Sequence, residues 1–288
     1  MFYLTRGMYE WLVFVSEIVL SAYPILIKQT DASIFTQVGF RMGIYAVAAM
    51  GMALAMGQSL TNLSPLILLA GGLLNLVHVG ASYKAFSTLT AGNAMALFYT
   101  YPVMNLVAAS VALGEKIEPL TWVWMGVALV GAVMLAKPSE SGWNMMGVAA
   151  ALLAAATETG IYMYFRDLPK QTLPWKRMLE MYGGSFLMWG GLALSGLWKG
   201  GAGPLTFTSG LAMVLFNLFI GFVGYGLRFF TIPKISTVSF SALSFFGIVS
   251  AYIFGWFFEG EKPSWLAMGG AAAIILANSQ LLGKAESV

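Results

Sequence analysis

The sequence predicts an all-α membrane protein with ten transmembrane helices, and three observations support that fold class. Of the 288 residues, 59% are hydrophobic and only 9% are charged, whereas a soluble domain carries about 25% charged residues. Ten segments reach or approach the roughly 20 apolar residues that a helix needs to cross a bilayer. The connections between these segments are short, so the bundle itself makes up the whole predicted protein.

The ten predicted spans are helices because lipid offers the backbone no hydrogen-bond partner outside its own segment. The first span is interpreted as a membrane helix rather than a cleavable signal, because it contains Glu17 and ends without a small-residue cleavage site. The spans cover residues 8–28, 33–57, 64–87, 91–113, 119–136, 144–165, 177–198, 208–232, 236–258 and 264–283.

Lysine and arginine are distributed unevenly between the two ends of the predicted spans. Nine of the 15 lie on the side of the N-terminus, five lie on the other side, and Arg41 lies inside the second span. Cytoplasmic loops of membrane proteins carry the excess of these residues. The sequence therefore predicts a multi-pass protein of the bacterial inner membrane with both termini in the cytoplasm.

The residue types present argue against several functions. The chain has no cysteine and a single histidine, so neither disulfides nor a metal site are expected. A phosphate-binding Gly-x-x-x-x-Gly-Lys-Ser/Thr pattern and a long basic run are both missing, which argues against nucleotide hydrolysis and nucleic-acid binding. We expect no catalytic residues and no cofactor, and we expect the bilayer and a small molecule as partners of a single chain.

An internal repeat divides the chain into halves. Glu115-Lys-Ile-Glu-Pro119 follows the fourth span, and Glu259-Gly-Glu-Lys-Pro263 follows the ninth at an offset of 144 residues. The same offset pairs Gly80 with Gly224, Lys84 with Arg228, and Gly126 with Gly270. Because each half has an odd number of spans, the second half enters the membrane inverted, as in many secondary transporters. We predict repeats at 1–137 and 138–288 that form one transmembrane domain with a site at its midplane.

Each half contains one further extended motif. The first half has Ala91-Gly-Asn-Ala-Met-Ala-Leu-Phe-Tyr-Thr-Tyr-Pro-Val103, continuing to Leu113-Gly-Glu115 and Gly126, and the second half has Thr237-Val-Ser-Phe-Ser241, running on to Glu259. These motifs are similar to the two half-patterns of the EamA-type transporters of the drug/metabolite transporter superfamily, which the whole chain resembles. Phe246 stands where the offset places the partner of Pro102, so the halves are not expected to be equivalent there. Asn75, His78, Ser82 and Tyr83 resemble the branch that exports aromatic and other neutral amino acids.

Two carboxylates lie in the middle of predicted spans that the repeat makes equivalent. The offset maps Glu158 to position 14, about one helical turn from Glu17 and on roughly the same face. Buried carboxylates in such places can carry protons across the membrane. Alternatively, each carboxylate could pair with Arg41 or a backbone group as a structural anchor.

Polar and aromatic side chains suggest a substrate cavity. Asn75, His78 and Ser82 are spaced to lie on one face of the third span, either lining a cavity or packing within the bundle. Aromatic hydroxyls follow in the fourth, sixth and eighth spans, at Tyr99, Tyr101, Tyr162 and Tyr225. A cavity of aromatic faces with few charges suits a zwitterion with an apolar side chain, although such residues also form ordinary cores.

We assign structural roles, rather than roles in a site, to the remaining charged residues within or near the spans. We expect Arg41 and Glu180 to form an ion pair or to reach the membrane surface, and Lys84 and Arg228 to lie near the ends of their spans. Because few cations lie within the spans, a sugar-phosphate substrate is disfavoured. The favoured function is export of small neutral metabolites, chiefly aromatic and other neutral amino acids, by alternating access. The alternative is proton-coupled efflux of cationic drugs through Glu17 and Glu158.

Overall fold

The computed structural model describes residues 5–23, 30–89, 91–137, 143–196, 205–259 and 264–284, and all regular structure within these ranges is helical. Residues 260–263 of the second Glu-x-x-x-Pro element lie outside the described residues. Three of the lysines counted for the orientation, Lys28, Lys199 and Lys262, also lie outside them. The helices are α1 (Arg6–Leu20), α2 (Ile34–Ala55), α3 (Pro65–Thr88), α4 (Ala91–Phe98), α5 (Tyr101–Ala112), α6 (Pro119–Ala136), α7 (Met145–Arg166), α8 (Trp175–Leu194), α9 (Phe207–Leu215), a π-helix (Phe216–Phe222), α10 (Val223–Thr231), a 3₁₀-helix (Ile232–Lys234), α11 (Thr237–Ser244), α12 (Phe246–Glu259) and α13 (Trp265–Lys284).

Eight helical segments of the described chain are long and apolar enough to cross a membrane. They correspond to the second to sixth and the eighth to tenth predicted spans. Helix α1 covers only part of the first predicted span, and α8 begins with Lys176, Arg177 and Glu180, which lower its hydropathy. The chain is therefore a multi-pass membrane protein.

Several helices begin at a side-chain cap that the sequence provides. The hydroxyls of Ser33 and Ser64 accept from the backbone N–H of Thr36 and Ile67, and Asn144 caps α7 in the same way. Such caps satisfy backbone donors that the first helical turn leaves free. The helix starts are therefore fixed by local sequence near the membrane surface.

The fourth and the ninth predicted spans are each broken in the middle. Helix α4 ends at Phe98 and α5 begins at Tyr101, with Pro102 in its first turn. Proline removes a backbone donor, which explains that break. The break between α11 and α12 falls at Phe245, where no proline is present. The two halves were expected to differ where Pro102 corresponds to Phe246. They differ there in residue type, but the helix is interrupted at this place in both halves.

A π-helix interrupts the eighth predicted span. The side chain of Asn217 donates from Nδ2 to the carbonyl of Met213, 2.8 Å away, inside the helical hydrogen-bond ladder. An inserted side chain of this kind is a recognised cause of irregular helical turns. Because Asn217 Oδ1 also accepts from Tyr23, the irregular turn is fastened to the segment that follows α1.

Helices of the first half pack mainly against helices of the second half. Helix α1 packs on α10, α2 on α8, α3 on α7 and α8, and α6 on α13. Glycine allows two of these crossings to bring backbones together: a Cβ added to Gly72 would lie 2.6 Å from the backbone of Gly184, and one added to Gly131 would lie 2.7 Å from the carbonyl of Gly270. Small residues have this role in membrane bundles, so the halves are interleaved.

Candidate functional site

Four ionisable side chains from four helices form a continuous chain of contacts inside the bundle. Arg228 lies between two carboxylates, with Nη1 3.0 Å from Glu17 Oε1 and Nη2 2.6 Å from Glu158 Oε1. The second oxygen of Glu158 lies 3.2 Å from His78 Nε2. All four residues are at most 5% exposed. Buried charges are retained in a membrane protein only where they pair or serve a cavity.

The packing of opposite halves brings these four side chains together. Helix α1 lies along α10 and places Glu17 beside Arg228, while α3 lies along α7 and places His78 beside Glu158. Two of the four come from the first half and two from the second. A relative movement of the halves would therefore change the chain of contacts directly.

His78 is held at both ring nitrogens. Its Nδ1 lies 3.2 Å from the carbonyl oxygen of Ala154 and 3.3 Å from the hydroxyl oxygen of Thr157, and its Nε2 faces Glu158. The Thr157 hydroxyl donates to the carbonyl of Leu153 at 2.7 Å. Since a carbonyl oxygen only accepts, Nδ1 donates to Ala154, and Nε2 can donate to Glu158 only with a second ring proton.

A second guanidinium group lies nearby in an aromatic enclosure. The Cζ atom of Arg41 is 4.7 Å from the ring centre of Tyr23, 4.9 Å from that of Tyr225 and 5.7 Å from that of Tyr45. Arg41 is 4% exposed, and its Nε and Nη2 have no hydrogen-bond partner among the described residues. Aromatic faces attract a cation, and this attraction strengthens when water is excluded.

Both guanidinium groups open onto one cavity of about 90 Å³. The cavity is lined on α1 from Glu17 to the end of the helix, and on α3 from His78 to the end of the helix. On α2 it is lined by Arg41, which lies in the first half of that helix. The cavity therefore extends from the ionic chain toward the end of the bundle opposite the start of α1. Its walls comprise Glu17, Leu20, Ser21, Tyr23, Arg41, His78, Ser82, Tyr83, Phe86, Met95, Phe98, Tyr99, Tyr101, Glu158, Tyr225 and Arg228.

Most of the side chains predicted for a cavity meet in this one. The lining includes His78, Ser82, Tyr99, Tyr101 and Tyr225, together with Glu17 and Glu158.

Two predicted cavity residues lie outside its lining. Asn75 donates from Nδ2 to the hydroxyl of Ser185 at 2.8 Å, which fastens α3 to α8. The Tyr162 hydroxyl donates to Thr237 at 2.8 Å, near the start of α11. Both side chains are therefore occupied by packing between helices in this conformation.

Arg41 and Glu180, for which a structural role was expected, do not have the partners that were predicted for them. Arg41 does not pair with Glu180, which instead lies 3.9 Å from Arg177 and accepts from the backbone of Ser64. Arg228 lies in the last turn of α10, near the helix end as expected, and from there it contacts both carboxylates of the ionic chain.

Contacts between the halves close the end of the bundle where α1 begins. Arg166, the last residue of α7, has Nη2 3.0 Å from Glu115 Oε1 and donates from Nη1 to the carbonyl of Ile232 at 3.0 Å. Arg6 also donates to the hydroxyl of Ser239 at 3.2 Å. These contacts join loops of both halves, so the cavity is separated from the adjoining membrane surface.

The described part of the chain contains no group of three His, Cys, Asp or Glu side chains that could hold a metal ion.

Comparison with known proteins supports the same class of protein. The model of the EamA-like transporter family matches residues 7–137, the segment that contributes α1 to α6. A protein of known crystal structure aligns with a TM-score of 0.75 over 96% of this chain and 96% of its own, at 16% sequence identity. At that identity the likeness concerns the fold alone. No curated protein matches the chain at a significant level.

Proposed function

We propose that this chain, whose residues 7–137 match the model of the EamA-like transporter family, exports small neutral metabolites by alternating access, chiefly aromatic and other neutral amino acids. The family match supports a membrane transporter of small molecules. The observation that carries the narrower proposal is the cavity, in which two carboxylates and two guanidinium groups lie among aromatic rings.

The charges of the cavity disfavour a cation as cargo. Glu17 and Glu158 balance Arg41 and Arg228, and the proton held between His78 Nε2 and Glu158 adds one positive charge. A zwitterion leaves that sum unchanged, whereas a cation adds a second uncompensated charge at membrane depth, which costs several kcal/mol.

The arrangement of helices supports two inverted repeats of five spans each, with α1 and α8 as the two further membrane helices. The predicted repeat relates each span of the first half to the span five places later. It therefore relates the contact of α3 with α7 to the contact of α10 with α1, and the contact of α5 with α7 to the contact of α11 with α1. All four contacts occur. The α2–α8 and α6–α13 contacts each join two spans that the repeat makes equivalent, so these contacts are unchanged when the halves are exchanged. The contact pattern is therefore nearly unchanged by the exchange, as expected for related halves.

The two broken spans support the same relationship. The repeat offset places Phe245, where the ninth span is interrupted, opposite Tyr101, where the fourth span resumes. Tyr99 and Phe245 stack with their ring centres 6.5 Å apart, so the breaks also lie close in space. Discontinuous helices near the repeat interface are where many secondary transporters bind their substrates.

Alternating access then follows from the two related halves. The contacts of Arg166 with Glu115 and Ile232 close one end, and the cavity extends toward the other. In the proposed orientation, with both termini in the cytoplasm of a bacterial cell, this is a state with the cytoplasmic end closed. One chain encloses the cavity by itself, which supports a monomer as the working unit.

The proposal is tested with purified protein in liposomes that are preloaded with unlabelled phenylalanine. Labelled phenylalanine, a neutral aliphatic amino acid, a quaternary ammonium compound and a sugar phosphate are supplied outside, and protein-free liposomes are the control. We expect exchange of the two amino acids and none of the other compounds. Transport of the quaternary ammonium compound without amino-acid exchange would exclude the proposed substrates.

Proton-coupled efflux of cationic drugs is the alternative, because two buried carboxylates do line the cavity. Both of them contact Arg228, so each carboxylate already has a cation beside it. The alternative predicts that Glu17→Gln and Glu158→Gln each abolish the pH dependence of transport. It is rejected if both variants keep the transport rate and the pH profile of the parent protein.

A further inference from the structure

We propose that Arg41 binds the carboxylate of the transported molecule, so that the substrates are amino acids and related small acids with a free carboxylate. This inference rests on the proposed function and adds a specificity-determining residue to the same cavity. The geometry points to Arg41 because it combines a deeply buried cation, an incomplete set of partners and direct access to the cavity.

The two guanidinium groups of the cavity differ in their partners. Arg228 lies within 3.0 Å of both Glu17 and Glu158. Arg41 has no ion pair with a carboxylate among the described residues, so it is the ion pairs that distinguish the two groups; Nε and Nη2 lack a hydrogen-bond partner there in Arg41 and in Arg228 alike. A buried cation that lacks such partners costs several kcal/mol unless a bound group supplies them.

The tyrosines around Arg41 hold it in place without neutralising it. The hydroxyls of Tyr23 and Tyr45 bond to each other, and Tyr23 also donates to Asn217 at 3.0 Å. These contacts fix the rings over which the guanidinium group lies. The enclosure therefore presents a positioned cation, which is what recognition of a carboxylate by arginine requires.

The remaining walls of the cavity suit the rest of an amino acid. Phe98, Tyr99 and Tyr101 form an aromatic cluster with ring centres 5.1–5.8 Å apart, against which an apolar side chain can pack. The oxygens of Glu17 and Glu158 lie in the same cavity as acceptors for an ammonium group. A carboxylate at Arg41 would thus place the two charged groups of a zwitterion beside opposite charges.

The test compares three ligands on the purified wild-type protein: L-phenylalanine, its decarboxylated analogue phenethylamine, and its deaminated analogue 3-phenylpropionate. Binding is measured by calorimetry or by ligand-induced stabilisation against heat. We expect phenylalanine to bind most tightly, 3-phenylpropionate to bind detectably, and phenethylamine to bind at least about tenfold more weakly than phenylalanine, as for loss of a hydrogen-bonded charge. Equal binding of phenethylamine and phenylalanine would overturn the inference.

The variants Arg41→Gln and Arg41→Lys connect the ligand preference to this residue. We expect the glutamine variant to lose at least about tenfold in affinity for phenylalanine, and the lysine variant to lose less because it keeps the charge but not the planar fork. Arg177→Gln is the matched control, since Arg177 also lies 4.7 Å over a tyrosine ring, that of Tyr164, but does not line the cavity. An unchanged affinity in a folded Arg41→Gln variant would contradict the inference.

The wild-type ligand series decides the question even if Arg41→Gln does not fold. The outcome also separates this inference from the proposed function. Exchange of phenylalanine that does not depend on its carboxylate would retain the function and reject the role of Arg41. Binding of 3-phenylpropionate that requires Arg41, without any amino-acid exchange, would retain the carboxylate site and reject the proposed function.

Discussion

Arg166 and Glu115 form an ion pair, with 3.0 Å between Nη2 and Oε1, that joins the last turn of α7 to the loop after α5. The carboxylate belongs to the first Glu-x-x-x-Pro element of the repeat, which gives that sequence feature a physical role. Since α7 lies in the second half and α5 in the first, the pair must break or stretch when this end of the bundle opens.

Replacing Glu115 by glutamine should open this end more often. Neither partner is deeply buried, so the pair stabilises the closed form by about 1 kcal/mol and the open population should rise about fivefold. The chain has no cysteine, so a single cysteine at the buried position Ile235 reports opening by its rate of reaction with a water-soluble maleimide. Lys116→Gln, which alters the exposed neighbouring residue, should leave that rate unchanged, and equal rates in both variants would contradict the prediction.

Removing Arg228 should destabilise the protein strongly. Arg228→Gln leaves Glu17 and Glu158 buried without their cation, and breaking such a group typically costs 3–5 kcal/mol. The expected result is a marked fall in the unfolding temperature in detergent. Replacing both carboxylates by glutamine in the same variant should recover much of the loss, because no carboxylate is then buried without its cation. A single variant as stable as the parent would show that the contacts contribute nothing.

Gly72 should tolerate no side chain, in contrast to Gly80 on the same helix. A Cβ on Gly72 meets the backbone of Gly184, whereas one on Gly80 meets nothing within 4 Å. We expect Gly72→Ala to cost about 1–3 kcal/mol through overpacking, and Gly80→Ala to be neutral or slightly stabilising because glycine is costly in a helix interior. Thermal unfolding of both variants checks the prediction, which fails if their stabilities are equal.

His78 and Asn75 should differ in their effects on ligand binding. His78 lines the cavity and contacts Glu158, whereas Asn75 fastens α3 to α8 through Ser185. We expect His78→Ala to weaken phenylalanine binding about tenfold, and Asn75→Ala to lower stability while leaving affinity unchanged. The reverse pattern, in calorimetry and thermal unfolding of the two variants, would assign the substrate contact to Asn75 instead.

The sequence is sufficient to predict the elements that depend on local composition. Hydropathy predicts the eight helices that are long and apolar enough to cross a membrane, and the proline at 102 indicates where the fourth span breaks. Glu17 and Glu158, which the predicted offset relates, both contact Arg228 and line one cavity.

Sequence reasoning failed where partners come from distant helices. Arg41 and Glu180 were paired by charge type alone, although α8 places Glu180 next to Arg177, one helical turn away. The break at Phe245 has no proline to indicate it, although Ser244 and Gly247 lie beside it. Asn75 and His78 share a helical face, but the direction from which α8 and α7 approach that face decides which of them reaches the cavity.

The interleaving of the two halves has a consequence for how the protein is made. Each first-half helix makes its most extensive contacts with helices that the ribosome completes later, such as α2 with α8 and α6 with α13. During synthesis the early helices therefore lie in the bilayer before their later partners exist, and Glu17, Arg41 and His78 are at that stage without the residues that they contact in the complete bundle. The contact of α6 with α13 can form only after α13 has been synthesised, so packing of the bundle is completed after the insertion of its last described helix.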